Sequence, residues 1–78
     1  MCKFYIVKDK AAMLEIRKQA LACGLEQAIM AVEYILNYEI FSRNSLALAA
    51  KMKCHLNLID QLISDLLKDQ IIEIIELA

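Results

Sequence analysis

The chain has 78 residues, of which 60% are hydrophobic, and its formal net charge is −1. A near-neutral charge excludes a global field that attracts nucleic acid, and no uncharged apolar run approaches the roughly 18 residues that a membrane span requires. Soluble domains are usually about 45–50% apolar, and a chain this short buries only about 60% of its extended surface. We therefore expect a homodimer, a higher oligomer or another protein to cover the remaining apolar side chains.

The cysteines indicate a compartment. Cys2, Cys23 and Cys54 are an odd number of cysteines without a paired spacing. The apolar segment at the N-terminus is too short for a signal peptide and lacks a cleavage site. Because free thiols are typical of a reducing environment, we predict a cytoplasmic protein that makes no membrane contact.

The first eight residues hold a strand-like segment. Lys3–Lys8 is rich in aromatic and β-branched residues and is flanked by lysines. The rest of the chain offers no clear partner strand. Three interpretations therefore stay open for residues 1–8: a strand paired with its own copy, an irregular arm, or the first turns of a helix.

The first predicted helix covers residues 10–23. Asp9 is suited to the N-cap position, and Gly24 is suited to the position that closes the helix. Arg17 lies inside the apolar arc of this helix. Its stem could pack while its head reaches water, or it could pair with an acid from the tail or from a partner, which makes it a candidate interface residue.

The second predicted helix, over residues 25–41, is apolar on nearly every side. Such a helix belongs in the middle of a bundle. The polar cluster 42–45 is typical of a loop, in which Asn44 or Ser45 could cap the next helix. A third, long helix is predicted over 45–68 because Met52, Leu56 and Ile59 begin a seam that alternates spacings of three and four.

The last ten residues, 69–78, break this pattern. Gln70 would sit at the centre of the apolar stripe, and isoleucines follow on the side that was polar. We expect either a continuation of the third helix that faces a partner or a short fourth helix. Together with Arg17, the candidate residues of a protein interface are Ile71, Ile72, Ile74, Ile75 and Leu77.

The charges are unevenly distributed along the chain. Residues 1–24 carry five cations against Asp9 and Glu15, and residues 60–78 carry five acids against Lys68. A basic head and an acidic tail favour antiparallel contact, within one chain or between two chains.

The sequence shows no site of catalysis. Cys54 and His55 are adjacent, and adjacent positions of a helix point about 100° apart, so the two side chains would not converge. No spacing typical of a zinc site and no glycine-rich phosphate loop occurs. We expect neither an enzyme nor a bound cofactor or metal.

These observations predict an all-α protein: a small bundle of three helices in one domain, 1–78, with a short N-terminal strand or arm, completed by oligomerisation. We expect a non-catalytic module that binds itself and another protein. A small regulator, an adaptor, a chaperone-like protein and an inhibitor all fit this description, and the sequence does not choose among them.

An alternative function depends on a resemblance. Lys3–Lys8, Lys10–Gly24 and Leu25–Phe41 would form a strand, a helix ending in glycine and a second helix, an order that resembles a ribbon–helix–helix repressor over about half of the chain. The resemblance implies a dimeric transcriptional regulator whose paired strands enter the major groove of DNA.

The resemblance also implies which residues meet DNA and where the chain departs from the family. The candidate DNA-binding residues are Lys3, Tyr5 and Lys8, and Val7 would face the groove beside them. At the start of the second helix Glu26 would repel phosphate, and that helix lacks the hydroxyl-bearing start that usually holds a phosphate there. The predicted third helix lies outside the family's core.

Overall fold

A computed structural model describes residues 2–52 and 54–77. Its elements are β1 (Cys2–Val7), α1 (Lys10–Cys23), α2 (Glu26–Tyr38), β2 (Ile40–Phe41), α3 (Arg43–Ala49), α4 (Leu56–Lys68) and β3 (Ile72–Leu77). The three strands form an antiparallel sheet in the order β2-β1-β3. The prediction of an all-α three-helix bundle is therefore wrong, because four helices pack with a sheet formed by β1, β2 and β3.

The strand interpretation of the N-terminal segment is confirmed, but its partners were not foreseen. β1 is the central strand and pairs with β3 along its whole length, from Cys2 opposite Leu77 to Val7 opposite Ile72. Its other edge pairs with β2. Because strands of the same chain occupy both edges of β1, the two-chain ribbon of a ribbon–helix–helix dimer is not formed.

The predicted caps of the first helix are confirmed. The Asp9 carboxylate accepts a hydrogen bond from the Ala12 N–H at 3.0 Å. Gly24 adopts a left-handed conformation with φ of 69°, and its N–H donates to the carbonyl of Ala20 at 3.0 Å. This conformation is accessible to glycine at little cost, which explains why α1 ends there rather than running on.

The second helix is shorter than predicted. α2 ends at Tyr38, and Glu39 takes a positive φ of 63°. The chain then enters β2, where Ile40 and Phe41 pair with β1. The apolar periodicity of a buried helix and that of a buried strand are alike over so few residues, so the sequence did not show the change.

The polar cluster 42–45 starts a helix instead of forming a loop. Ser42, rather than Asn44 or Ser45, is the N-cap of α3, and Ser45 completes a reciprocal capping box with it. The two hydroxyls satisfy backbone N–H groups that the first turn of a helix leaves free.

The predicted long helix over 45–68 is two helices. α3 ends at Ala49 and α4 begins at Leu56, with a connection over 50–55 in which Lys51 has a positive φ of 56°. The Met52 N–H donates to the Ala47 carbonyl at 2.8 Å, and the Met52 side chain is buried. Because Met52 reaches the core from the connection, the apolar spacing passes through the break without interruption.

The tail is a strand rather than a helical continuation or a fourth helix. After α4, Gln70 takes a positive φ of 60°, and the Ile71 carbonyl accepts hydrogen bonds from the N–H groups of Lys8 and Asp9. β3 then runs antiparallel to β1 and places Lys3 opposite Glu76. The predicted antiparallel contact of basic head and acidic tail is confirmed within one chain.

The core lies between the helices and one face of the sheet. Tyr5, Phe41 and Ile72 contribute from the three strands, and they pack with buried side chains of all four helices. The helical part of the core includes Met13, Ala31, Val32, Ile35, Leu46, Ala47, Ile59, Ile63 and Leu66. Among the described residues no polar or charged side chain is buried, so hydrophobic burial is the main stabilising term.

Candidate protein-interaction surface

The two faces of the sheet have different surroundings. Tyr5 lies opposite Phe41, and the two ring centroids are 5.5 Å apart inside the core. Ile72 is also buried and points to the same face. It lies opposite Val7, at the end of the pairing between β1 and β3. Successive residues of a strand point to opposite faces. The residues that alternate with these three along their strands must therefore point away from the helices.

Four of the residues on that outer face are apolar. In the pairing of the strands, Ile6 lies opposite Ile40, and Phe4 lies opposite Ile75. Ile40 is 50% exposed, and the other three are partly buried by their neighbours. We refer to Phe4, Ile6, Ile40 and Ile75 together as the sheet surface.

An apolar outer face is unusual for a small antiparallel sheet. Such sheets commonly alternate apolar residues toward the core with polar residues toward water. Here β1 carries the uninterrupted apolar run Phe4–Val7, which is typical of a strand covered on both of its faces. The sheet surface therefore has the composition of a buried layer although it faces solvent.

Charged residues border one end of the sheet surface. Glu73 lies opposite Ile6 and so points to the outer face, and its carboxylate is 4.0 Å from the Lys8 ammonium. Nearby, the Lys10 ammonium donates to the Glu39 carboxylate at 2.7 Å, just before β2. Exposed ion pairs of this kind contribute about 0–1 kcal/mol to stability, so their main effect is to give this end of the surface both signs of charge.

The predicted interface residues of the tail are divided by the sheet. Ile71 and Ile72 are buried in the protein's own core and expose almost no area to a partner. Ile74 is 46% exposed on the edge strand, and Ile75 belongs to the sheet surface. The side chain of Leu77 lies outside the described residues.

Arg17 pairs within its own chain. Its guanidinium contacts the carboxylate of Glu33 on α2, with Nη2 at 3.1 Å from Oε1. The acid is thus neither in the tail nor on a partner, and the pair joins α1 to α2 beside the core. Both side chains remain roughly half exposed.

The candidate DNA-binding residues do not form one surface. Tyr5 is buried in the core. Lys3 lies opposite Glu76, and Lys8 is beside Glu73, so acids of β3 accompany both cations. Sequence reasoning missed Phe4, Ile6 and Ile40, and the signal that could have found them is the uninterrupted apolar run of β1.

A second apolar region lies between the helices. A cavity of about 210 Å³ opens between α1, α2 and α4, and Leu25 lies at its rim. A depression of about 440 Å³ lies beside Cys54 and His55, which are both exposed. The residues that line the smaller cavity are Ile16, Gln19, Ala20, Cys23, Leu25, Ala28, Val32 and Leu62.

The helices α3 and α4 follow each other in the chain, and an ion pair joins them. The guanidinium of Arg43 at the start of α3 makes a two-pronged contact with the carboxylate of Asp60 on α4, with Nη2 and Oδ2 3.0 Å apart. This hydrogen-bonded contact lowers the pKa of Asp60 below its ordinary value and raises the pKa of Arg43. The outward side of α4 carries Asn57, Gln61 and Ser64.

Comparisons with known proteins add no function. The chain matches no protein-family model, no curated protein and no solved structure. Within the described ranges, no helix has both the length and the apolar character to cross a bilayer, and no group of three or more His, Cys, Asp and Glu side chains could hold a metal ion. The geometry of the molecule itself must therefore support any proposal.

Proposed function

We propose that this protein is a non-catalytic protein-interaction module of the cytoplasm and that it binds through the sheet surface. The observation that carries the proposal is the apolar outer face of the sheet, formed by Phe4, Ile6, Ile40 and Ile75. Burying an apolar side chain completely contributes about 1.5–3 kcal/mol relative to full exposure, and the gain is smaller for Phe4, Ile6 and Ile75 because they are already partly buried. A patch of four is sufficient to serve as the apolar centre of an interface.

The form of the surface favours protein as the ligand. A flat sheet face offers no enclosed volume for a small molecule, whereas sheets commonly bury such faces against another sheet or a helix. Regulator, adaptor, chaperone-like protein and inhibitor are roles that such a contact would serve. The thiols of Cys23 and Cys54 are free and exposed, which supports a reducing compartment.

A charge placed on the sheet surface tests the proposal. Ile40→Lys introduces an ammonium at a half-exposed position, so the fold should tolerate it while the contact is lost. Leu14→Lys is the matched control, because Leu14 is 54% exposed on α1, away from the sheet. Tagged wild-type and variant chains are used for quantitative affinity capture from cells, with circular dichroism to confirm folding.

The expected result is a set of proteins that the wild type and Leu14→Lys retain and that Ile40→Lys loses. Binding of an apolar dye should fall in parallel, because the dye reports exposed apolar area. The proposal is refuted if Ile40→Lys captures the same proteins and the same amount of dye as the control.

We propose duplex DNA binding as a second candidate function, in which α3 and α4 would act as a helix–turn–helix. In helix–turn–helix proteins the second helix lies in the major groove and its first turns contact base edges. The outward side of α4 offers Asn57 and Gln61, which are side-chain types that read adenine, although the Gln61 amide nitrogen already donates to the Asp65 carboxylate at 2.9 Å. Asp60 and Asp65 lie on the same helix and would oppose phosphate, so this candidate ranks second.

Fluorescence anisotropy with labelled duplex DNA tests this second function. The candidate predicts binding at low salt that weakens steeply as salt is added, and that Gln61→Ala weakens further. Gln19→Ala on the exposed side of α1 is the matched control. Absence of binding at low salt removes this candidate without affecting the first.

A further inference from the structure

We infer that the exposed edge of β3 pairs with the same edge of a second copy of this chain, so that two sheets join into one. The inference goes beyond the proposed function, because it concerns the edge of the sheet and not its outer face. The strand order β2-β1-β3 leaves two edges, and β2 has only two residues. β3 has six residues, and no further strand lies beside it in the described part of the chain.

A hydrogen bond of β1 shows which backbone groups of β3 point outward. The Val7 N–H donates to the Glu39 carbonyl at 2.9 Å, on the side of β2. Because Val7 thus turns its backbone groups away from β3, Ile72 opposite it forms no hydrogen-bonded pair with β1. Such groups alternate along an antiparallel strand. Ile72, Ile74 and Glu76 therefore direct their N–H and C=O groups outward.

One symmetric register uses all three of these residues. A two-fold axis perpendicular to the sheet keeps every side chain on its own face, so a residue lies opposite itself or a residue an even number of positions away. With Ile74 opposite its own copy, Ile72 lies opposite Glu76. The outward groups then form about six hydrogen bonds between the two strands. On the other face Glu73 lies opposite Ile75, so no acid lies opposite an acid.

The neighbouring symmetric registers are less favourable. With the axis at Glu73 or at Glu76, two carboxylates lie directly opposite each other, which destabilises an antiparallel pair. With the axis at Ile75, Ile72 lies beyond the described end of the partner strand, and only Ile74 and Glu76 pair. The charges and the length of the strand therefore favour the register centred on Ile74.

Ile74 favours a second copy over a lone extended segment of another protein. It lies opposite Tyr5 and so points to the core side of the sheet, where Tyr5 and Ile72 are buried. Ile74 is nevertheless 46% exposed, so the helices leave the core side open at this edge. A lone segment would pair with the strand and leave that side open. A second copy would bring its own Ile74, about 5.5 Å away between Cα atoms, and its own α4, a helix that contacts β3.

The composition of β3 is suited to pairing. Proline, lysine and β-bulges commonly keep an edge strand from pairing, and β3 has no proline and no lysine. Its pairing with β1 runs without a bulge from Ile72 to Leu77. Cations accompany both of its acids, since Lys3 lies opposite Glu76 and the Lys8 ammonium is 4.0 Å from the Glu73 carboxylate. The edge is therefore unbroken, mainly apolar and close to neutral.

The dimer would also enlarge the sheet surface. An axis perpendicular to the sheet places the outer faces of both copies on the same side of one six-stranded sheet. Strands lie about 4.8 Å apart, so a protein partner would meet an outer face about twice as wide as that of one copy.

Sedimentation equilibrium and hydrogen exchange followed by NMR, both on the full chain, test this inference. From about 5 µM to about 500 µM the wild type should pass from monomer to dimer. Over the same range the outward N–H groups of Ile74 and Glu76 should exchange at least about 10-fold more slowly. The N–H groups of Glu73 and Ile75, which point to β1, should change less.

Substitutions at the axis add a second readout. Ile74→Pro removes an outward N–H and keeps the bonds to β1, as proline on an edge strand can. The dimer should weaken by about 10-fold or more, because each dimer loses two donors. Ile74→Val keeps the N–H and is the matched control, and it should dimerise like the wild type, as should Leu14→Lys. If circular dichroism shows that Ile74→Pro is unfolded, Ile74→Lys takes its place, because two ammonium groups would then lie directly opposite each other.

The inference is overturned by a wild type that stays monomeric at about 500 µM, or by a dimer that the substitution at the axis leaves intact. It is equally overturned if the dimer forms while the N–H groups of Ile74 and Glu76 gain no protection. These outcomes leave the proposed function standing, because its test changes Ile40 on the outer face and measures captured proteins.

Discussion

Replacing Ile72 by alanine tests whether the C-terminal segment is part of the core. Ile72 is 2% exposed and packs in the core cluster between the sheet and the helices. The substitution removes three carbon atoms at about 0.8 kcal/mol each, and the cavity that remains adds to this loss. We expect the free energy of unfolding to fall by about 3 kcal/mol, a large part of the roughly 4–12 kcal/mol typical of a chain this long.

The matched control is Ile74→Ala, the same substitution two residues later on the same strand. Ile74 is 46% exposed, so the expected loss is about 1 kcal/mol. Urea denaturation followed by circular dichroism gives both values, at one fixed protein concentration because any dimerisation would add to apparent stability. If Ile72→Ala does not fold, Ile72→Val should cost about 0.5–1.5 kcal/mol.

Equal losses for Ile72→Ala and Ile74→Ala would refute the burial that the structure assigns to β3. A loss below about 0.5 kcal/mol at Ile72 would do the same, because that is the size expected for an ordinary surface position. In that case the tail would not be part of the fold, and its isoleucines would again be free to contact a partner.

Three further predictions concern the helix ends and the Arg43–Asp60 pair. Gly24→Ala should lower the free energy of unfolding by about 1 kcal/mol, because φ is 69° although no atom crowds the site; thermal melts measure this, and an unchanged midpoint would contradict it. Ser42→Ala should cost about 1 kcal/mol by removing the capping box with Ser45, which a urea titration would detect. Because the folded-state pKa of Asp60 is lowered below 3.8, the pair stabilises the fold above that pH, and this contribution is lost as the pH falls through the folded pKa. Asp60→Asn should therefore make stability less dependent on pH in that acid range, and parallel curves for variant and wild type would exclude a role for the pair.

Local signals predicted the first helix well. Asp9 and Gly24 fix its two ends through short-range chemistry, a side chain that accepts from the backbone and a residue that tolerates positive φ. No distant part of the chain has to be known for either inference. The strand-like character of β1 was likewise visible in its own residues.

The ends of α2, α3 and α4 could not be predicted from the sequence because no glycine or proline marks them. Glu39, Lys51 and Gln70 all adopt positive φ, a conformation that is uncommon for such residues. Met52 also keeps the helical spacing while lying in a connection. The prediction of a helix over 45–68 was wrong for that reason.

The sheet surface depends on pairing between the two ends of the chain. Phe4 and Ile75 are neighbours because β1 and β3 pair in one particular register, and a slip of one residue would turn Ile75 to the core. The sequence indicated an excess of apolar residues and a need for a partner. It did not indicate that β1 and β2, as well as the tail, contribute apolar residues to the outer face.

The most direct test of the proposed interaction surface is residue-by-residue mapping by NMR. Amide spectra of the labelled full chain are recorded as a captured protein is added. We predict that the shifts that change cluster at Phe4, Ile6, Ile40 and Ile75, with little change along α1 around Leu14. Changes confined to the helices, with the strand signals constant, would contradict the assignment of the sheet surface as the site of binding.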